Sequence, residues 1–435
     1  MQNDTLVAVD IAKEVFEVGI SDRPGRVARR RRLARYEFLE FFAQLPPATV
    51  VMEACGSAHF WARRIEELGH VVVLLPPQYV RPYVVRNKTD RTDVNGLLEA
   101  FRNEQIRPVP IKTVTQQVFG TLHRLRSGWL ADRTRAINSL RGLLRELGFF
   151  IPEGRKHVLP DAWEIIQDPK RGLPDALKPS LSALCQEILS HSTRIEEIEL
   201  QLEALAKQVP VVARLRSVPG IGLLTATALY AFIGDVSRFP SGRHMASFLG
   251  LTPREYSSGL RRRLGRISKR GDTYLRMLLI HGARSILWHA KRMKNRDRLR
   301  AWALRLECKL GHNKAAVALA NKLARITWAV WKNDRSFEPM PELQARLTVQ
   351  PTSQPTHAHC SRSTVMAKQV GPARGKPTTS LAFEAGFIDW LPCARIPSWP
   401  RVAESDPYIE AADTFAVRPL RHLDSSKQPT PSGAL

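Results

Sequence analysis

The chain has 435 residues, and 66 lysines and arginines against 41 aspartates and glutamates give it a formal net charge of +25. An excess of this size is typical of proteins that bind a polyanion, most commonly nucleic acid. No segment has the roughly 18 consecutive apolar residues of a membrane-spanning helix. We see no secretory signal pattern, and five scattered cysteines without a CxxC pair argue against a disulfide framework or a structural zinc site. These features together predict a cytoplasmic protein.

The N-terminal third of the chain alternates strand-like and helix-like patterns. The predicted strands are 5–10, 15–21, 49–54 and 71–77, with a basic stretch at 26–35 as a possible third strand in chain order. The predicted helices are 36–45, which ends at Pro46-Pro47, and 57–68, which ends at Gly69. Strands that alternate with helices at this spacing predict an α/β domain containing a parallel sheet, which we place at 1–105.

The middle of the chain, 106–210, is predicted to hold two long helices at about 114–148 and 176–208, joined by a linker at 152–174 that contains Pro and Gly. Apolar residues keep a 3,4 spacing in the second helix and an uneven one in the first. This pattern favours an antiparallel coiled-coil arm that dimerises the protein. A helical hairpin packed within one subunit is the alternative.

The remainder divides into two regions of different composition. Residues 211–335 are predicted to form a compact, basic and mostly helical domain. Residues 336–435 are rich in Pro, Ser and Thr without a lasting apolar period, which predicts a disordered tail.

Four carboxylates stand at positions where they could converge. Asp10 ends the first predicted strand, and Glu53 lies near the end of a later one, within the apolar run VVMEAC. Asp90 and Asp93 lie three residues apart at the start of a predicted helix, so both can project from one face. In an RNase H-type sheet such groups could hold two Mg²⁺ ions about 4 Å apart at a phosphodiester. Asp10 could instead be an ordinary loop cap, and Asp90 and Asp93 could cap the helix and complement its dipole. Glu53 is more telling, because a buried carboxylate without a partner is costly.

A serine pair lies in a strongly basic segment further along the chain. Ser257 and Ser258 precede Gly259, and six cations follow: Arg261, Arg262, Arg263, Arg266, Lys269 and Arg270. A cationic surround favours a serine alkoxide and stabilises charge on a pentacoordinate phosphorus. The alternative is a Ser-Ser-Gly turn beside a basic patch that only binds backbone. No His and Asp lie at a spacing that supports a hydrolase triad.

The segment 215–235 has the form of a helix-hairpin-helix. Its turn contains Gly220 and Gly222, which permit close approach of backbone amides to a DNA phosphate at the start of the following helix. Contacts of this kind hold DNA without reading its sequence. A tight turn between two core helices would also explain these glycines.

Six motifs, in one order along residues 5–335, resemble the DEDD transposases of bacterial insertion sequences, which are related to pilin-gene invertases and to recombinases guided by a bridge RNA. They are VAVDIAK (7–13), VMEACGS (51–57), NKTDRTDVNGLLEA (87–100), SVPGIGLLTATAL (217–229), SFLGLTPREYSSG (247–259) and GRISKRGDTYLRMLLIHGAR (265–284). The resemblance implies a RuvC-like, RNase H-type N-terminal domain, a coiled-coil linker and a C-terminal transposase domain. It does not account for the tail.

The resemblance also implies roles for particular residues. Asp10, Glu53, Asp90 and Asp93 would be the metal-binding tetrad, with Mg²⁺ as the ion, and Ser258 would be the nucleophile, with Ser257 as the alternative. The serine would attack a DNA phosphate to give a phosphoserine link and a free 3′ hydroxyl.

The same resemblance implies partners for the chain. The tetrad of one subunit and the serine of another would form a composite site in a dimer or tetramer. The DNA substrates would be the element ends and their target, with Arg261, Arg262, Arg263, Lys269 and Arg270 among the DNA-binding residues. A guide RNA would bind the basic surfaces of the chain, which suits its charge excess. We expect such a protein to be associated with the bacterial nucleoid.

Two other functions are compatible with the residues. One is a RuvC-like, metal-dependent junction nuclease, in which activated water attacks and the serine only positions DNA. The other is a non-enzymatic nucleic-acid-binding protein, against which the presence of all four carboxylates and the serine argues.

Overall fold

The computed structural model describes residues 5–23, 26–84, 90–294 and 296–340. The strands in these residues are β1 Thr5–Asp10, β2 Val15–Arg23, β3 Arg26–Ala34, β4 Ala48–Glu53, β5 Val71–Leu75, β6 Pro253–Glu255 and β7 Leu264–Ile267. The helices are α1 Phe38–Ala43, α2 Ala58–Glu66, α3 Pro77–Val80, α4 Asp90–Phe101, α5 Val114–Glu146, α6 Arg155–Gln167, α7 Lys178–Ala206, α8 Pro210–Arg216, α9 Leu223–Ile233, α10 Gly242–Phe248, α11 Thr273–Arg292, α12 Arg298–Leu310 and α13 His312–Lys332.

A five-stranded mixed sheet forms the N-terminal part, in the order β3-β2-β1-β4-β5. The first three strands follow one another through short connections and therefore pair antiparallel. Helices α1 and α2 intervene before β4 and β5, which pair parallel to β1 and to β4 respectively. The predicted α/β domain is therefore confirmed as a mixed sheet with helices, and the basic stretch forms the edge strand β3.

Strand alternation divides the sheet between two hydrophobic cores. Val7 and Val9 of β1 face α1 and α2, where Phe16, Phe38 and Trp61 meet edge to face with ring centroids 4.5–5.3 Å apart. The intervening residue, Ala8, faces the opposite side and packs under α4. A strand that is buried on both faces of the sheet therefore has consecutive apolar residues in the sequence.

The described residues fall into two compact units. Residues up to Ser127 and those from Glu196 onward belong to one unit, and Gly128–Ile195 form the other. The second unit has its own core, in which the C-terminal half of α5 and the N-terminal half of α7 pack with α6. The segment 152–174, predicted as a linker, therefore contains a helix of 13 residues with Pro160 in its first turns.

The C-terminal part of the first unit is mostly helical, as predicted, with α11 and α13 buried along their apolar faces. It also carries a two-stranded antiparallel hairpin, β6–β7, that the sequence did not indicate. None of the helices in the described ranges is long and apolar enough to cross a membrane. The predicted tail, 336–435, lies outside the described residues except for 336–340, where the Phe337 amide donates to Ser217 Oγ (2.7 Å).

Candidate functional site

Asp10 and Glu53 end two neighbouring parallel strands. β1 and β4 are in register up to the pair Val9–Met52, so Asp10 and Glu53 continue that register by one residue. Both side chains alternate with residues of the α1–α2 core and therefore lie on the face of the sheet that α4 covers. Both are partly buried. The structure thus brings these two predicted site residues to one edge and one face of the sheet.

Helix α4, which begins at Asp90 and carries Asp93, packs on the same face of the sheet. Val94, Leu97 and Leu98 pack against the sheet with Ala8 and Val51. The approach is close, because a Cβ at Gly19 of β2 would lie 2.5 Å from Val94 Cγ1. Asp90 and Asp93 occupy the first turn of this helix. Asp93 is partly buried, and the side chain of Asp90 lies outside the described residues.

The donor set at this edge suits a hard divalent cation. Carboxylate oxygens at strand ends and at a helix start are the ligands that Mg²⁺ takes in proteins. Among the side chains that the structure describes, no three or more His, Cys, Asp or Glu stand close enough together to hold a metal ion. Asp10, Glu53 and Asp93 therefore do not form such a group among themselves.

Glu17 and Arg32 extend the carboxylate row across the sheet, and sequence reasoning missed both. Asp10 pairs with Glu17 of β2, and Glu17 pairs with Arg32 of β3, so the three side chains share one face. Arg32 Nε lies 3.6 Å from Glu17 Oε2, and the Glu17 side chain is only 11% exposed. The one local signal for this pair was that Glu17 stands in an alternating strand pattern and is followed by the run of arginines that contains Arg32.

The serine pair lies at the end of the β6–β7 hairpin. The backbones of Ser258 and Arg261 bond to each other in both directions, with N···O distances of 3.3 and 3.2 Å. Gly259 and Leu260 form the two-residue tip, where Gly259 takes φ +56° and Leu260 is fully exposed. The predicted Ser-Ser-Gly turn is therefore a hairpin end that projects into solvent.

Because side chains alternate along a strand, the two serines point to opposite faces of this hairpin. Ser257 Oγ donates to Glu255 Oε1 (2.7 Å), and Arg262 Nε donates to the same oxygen (3.3 Å). The hydrogen bond from Ser257, followed by the nearby charge of Arg262, holds the pKa of Glu255 below its usual value. Ser257 thus belongs to an internally paired face.

Ser258 shares the other face with Arg261, its direct backbone partner, and with Arg263, whose carbonyl accepts from the Tyr256 amide (2.9 Å). All of these residues are exposed, and Tyr256 is 62% exposed. This face carries two guanidinium groups and an aromatic ring. Its chemistry suits a phosphodiester, since cations attract the anion and stabilise added charge on phosphorus.

A buried arginine anchors the base of the hairpin to helix α11. Arg276 is 7% exposed and donates to the carbonyl oxygens of Leu249 (3.2 Å) and Arg270 (3.4 Å). The Lys269 amide donates to the Gly250 carbonyl (3.1 Å), which closes the same base. The side chains of Lys269 and Arg270 remain exposed beside it. Arg276 was missed because the local sequence does not show that an arginine in this apolar helix is buried against the carbonyls of another segment.

The predicted helix-hairpin-helix corresponds to α8, a turn and α9. Gly220 takes φ +75°, and a Cβ there would lie 2.7 Å from the Gly282 carbonyl oxygen of α11, so packing alone requires glycine at this position. Gly222 is exposed, has open space around its Cα and is the N-cap of α9. Of the two, Gly222 is therefore the one whose surroundings leave room for a phosphate.

Comparisons with known protein families match both regions. The profile described as "Transposase IS116/IS110/IS902 family" matches residues 212–298, which hold the hairpin and the glycine turn. The DEDD transposase profile named for IS110 matches residues 7–149, which hold all four carboxylates.

Individual relatives match this chain over most of their own length. A protein of Pseudomonas aeruginosa named as a probable family 20 transposase is 42% identical over 78% of this chain and 99% of its own. The transposase for insertion sequence element IS1111A of Coxiella burnetii is 39% identical over 78% of this chain and 92% of its own. The pilin gene-inverting protein of Moraxella lacunata is 26% identical over 66% of this chain and 81% of its own.

The fold and the comparisons together define an enzyme that cleaves and transfers DNA strands. The chain belongs to the IS116/IS110/IS902 family of transposases, which confirms the resemblance drawn from the motifs.

Proposed function

We propose that this transposase moves an insertion sequence by way of a covalent serine–DNA intermediate. The observation that carries the proposal is the division of the β6–β7 hairpin into two faces. Ser258 lies with Arg261 and Arg263, whereas Ser257 is bonded to Glu255. A phosphate approaching Ser258 meets only cationic and aromatic groups of the hairpin, which favours Ser258 over Ser257 as the nucleophile.

In the proposed step, Ser258 Oγ attacks the phosphorus of one DNA strand. The new Oγ–P bond forms as the bond from phosphorus to the 3′ oxygen breaks, and the hydroxyl proton leaves Oγ while the departing 3′ oxygen gains a proton. Arg261 and Arg263 stabilise charge on the phosphate oxygens. Attack by a second 3′ hydroxyl then reverses the step and joins new strands without net hydrolysis.

The acidic residues have a separate role in the proposal. Asp10, Glu53, Asp90 and Asp93 would hold Mg²⁺, which supplies Lewis-acid stabilisation of the phosphodiester when bound. The strand order β3-β2-β1-β4-β5, with carboxylates at the ends of β1 and β4, supports a RuvC-like, RNase H-type domain at 1–105. The shared core of α5, α6 and α7 supports a helical domain at 106–210, with a coiled coil as its proposed dimerising element. The family profile that matches residues 212–298 supports the transposase domain at 211–335.

The partners follow from the charge and from the composite site. We propose that the element ends and target DNA, together with a guide RNA, are the polyanions that the +25 chain binds. The site requires a dimer or tetramer if the serine of one subunit meets the carboxylates of another. Gly222 at the start of α9 and the cations Arg262, Lys269 and Arg270 would contribute backbone contacts.

A cleavage assay tests the serine step directly. Labelled element-end DNA is incubated with Mg²⁺, with and without RNA from the element's own locus, and the products are resolved on a denaturing protein gel. We expect a DNA-linked protein band from the wild type and from Ser257→Ala, and a decrease of more than about 100-fold in Ser258→Ala. Asp10→Ala should abolish cleavage while leaving DNA binding intact.

The same gel separates the alternatives. A linked band that persists in Ser258→Ala and disappears in Ser257→Ala would transfer the nucleophile to Ser257. Retained recombination by the double variant would contradict the serine mechanism. Cleaved DNA with a free 5′ phosphate and no attached protein would identify a metal-dependent nuclease instead.

A further inference from the structure

Strand β3 is the edge of the sheet and carries an unusual density of arginine. Five of its nine residues are arginines: Arg26, Arg29, Arg30, Arg31 and Arg32. Its burial pattern leaves most of them exposed. A charged edge strand also protects a sheet against pairing with another chain, so the charge alone does not identify a binding surface.

The pairing of β3 with β2 separates these arginines by face. Arg29 and Arg31 pair with Ile20 and Val18, whose side chains belong to the core under α1 and α2. Arg30 and Arg32 pair with Gly19 and Glu17, which lie on the α4 side. The strand therefore presents two sets of arginines, equal in charge, to opposite sides of the sheet.

The α4-side set is held in position by neighbouring elements. Arg30 Nη2 donates to Asn95 Oδ1 of α4 (2.7 Å), and Arg32 contacts Glu17 (3.6 Å). Arg26 and Arg30 line an open cavity of about 430 Å³ between β3 and α4, together with Tyr83, Thr92, Asn95 and Glu99. The Glu99 carboxylate is paired with Arg102 (3.2 Å), so the two arginines outweigh its charge. This is a concave, polar and cationic surface, which suits a phosphate-sugar backbone.

The same surface leads to the carboxylate edge. Arg32, Glu17 and Asp10 occupy one row on one face of β3, β2 and β1. Neighbouring strands lie about 4.8 Å apart, so Arg32 is about 10 Å of sheet width from Asp10. We propose that Arg26, Arg30 and Arg32, here called the arginine track, bind the backbone of the DNA strand that is cleaved at Asp10 and Glu53. This inference rests on the proposed function of the carboxylates.

Two double variants with equal charge change test the track. Arg30→Gln/Arg32→Gln removes two charges from the α4 side, and Arg29→Gln/Arg31→Gln removes two from the other side of the same strand. Binding of fluorescent element-end DNA and of locus RNA is measured by anisotropy at several salt concentrations in EDTA, where no cleavage occurs. Circular dichroism and gel filtration check folding and association.

For the α4-side variant we expect the affinity for DNA to be about tenfold weaker. We also expect the salt slope, which is the slope of log affinity against log salt concentration, to be smaller by about two, because each lost phosphate contact lowers it by about 0.9. The matched variant should stay within about threefold of the wild type. Because Arg32→Gln leaves Glu17 without this partner, Arg26→Gln/Arg30→Gln replaces the first variant if that variant does not fold. The expected result is the same.

Equal losses in the two variants would overturn the track in favour of a diffuse basic surface. If the α4-side variant binds DNA as well as the wild type but forms oligomers on gel filtration, the arginines protect the edge strand from pairing, and the track is overturned. If that variant loses affinity for RNA only, the assignment of the track to DNA is overturned. If the wild-type protein binds neither DNA nor RNA, the proposed function itself is contradicted. This result differs from failure of the arginine track alone, in which the wild type still binds.

Discussion

At the scale of single residues, two glycines at the base of the β6–β7 hairpin cannot carry a side chain. Gly271 takes φ +85°, and a Cβ there would overlap the Phe248 carbonyl oxygen. We expect Gly271→Ala to lower the free energy of unfolding by more than about 3 kcal/mol, because backbone must move and a left-handed conformation is strained. Gly250, at φ +69° against the Arg270 carbonyl, should respond in the same way.

Gly259 provides the matched control for this prediction. It also takes a positive φ, +56°, but has open space within 4 Å of its Cβ position. Gly259→Ala should therefore lower stability by only about 1 kcal/mol, the strain of the conformation alone. Urea unfolding of the variants measures the difference. Equal losses for Gly259→Ala and Gly271→Ala would show that steric overlap does not hold the hairpin base.

Individual residues differ in how far the sequence could predict their role. Asp10 and Glu53 were predictable because each ends an apolar strand, where a carboxylate is conspicuous. Glu17 and Arg32 were not, because their relation to Asp10 depends on strand pairing across 7 and 22 residues, which local periodicity does not reveal. The opposed faces of Ser257 and Ser258 likewise follow only from the hairpin register.

At the scale of elements, His123 links α5 to α9 and α11 in a buried polar contact. Its ring nitrogens lie 2.9 Å from Thr227 Oγ1 and 3.0 Å from the Tyr274 hydroxyl, and it is 1% exposed. Burial, with a contribution from the charge of Arg126, lowers the pKa of His123 to about 4. The unfolded chain binds the proton near pH 6.5, so the folded state loses stability as pH falls from 6.5 toward 4.

From pH 7.5 to 5.5 this histidine alone should decrease the free energy of unfolding by about 1.4 kcal/mol. His123→Gln, which cannot take up the proton, should be less stable at pH 7.5 by about 1–3 kcal/mol through its broken contacts. Between pH 7.5 and 5.5, the free energy of unfolding of His123→Gln should also decrease by about 1.4 kcal/mol less than that of the wild type. The exposed His244 supplies the control, because His244→Gln is the same substitution outside this buried contact. Identical pH dependence in both variants would mean that His123 is not the group that titrates.

Some elements were predictable from local pattern and others were not. Strands β1, β2, β4 and β5 carry apolar runs or alternation, and α7 carries a regular 3,4 spacing, whereas that of α5 is uneven. The predicted bounds of these elements all lie within a few residues of those observed. Helix α6 was missed because Pro160 and several charged residues resemble a linker, although Val158, Ala162 and Ile165 are buried in the second unit. Strands β6 and β7 were missed because they have no buried face, and cross-strand hydrogen bonds rather than burial define them.

At the scale of the whole molecule, the positive charge is concentrated in the first 340 residues. Residues 341–435 contain 10 lysines and arginines and 8 aspartates and glutamates, so 23 of the 25 excess charges lie in residues 1–340. The Pseudomonas relative matches 78% of this chain over 99% of its own length. The charge excess and the match to this relative therefore both lie within a part of the chain shorter than the whole.

We therefore expect a chain that ends after Met340 to bind element-end DNA with the affinity of the full chain, within about threefold, and with the same salt slope. The counterions released on binding are set by phosphate contacts, and the truncation removes only 10 of the 66 lysines and arginines. The truncated chain keeps the contacts of 337–340, in which Phe337 bonds to Ser217 and the Arg298 amide donates to the Met340 carbonyl (2.9 Å). Anisotropy titrations from low to high salt compare the two chains, with a chain ending after Lys332, which lacks those contacts, as the control. A markedly shallower salt slope for the Met340 chain would instead place phosphate contacts in residues 341–435.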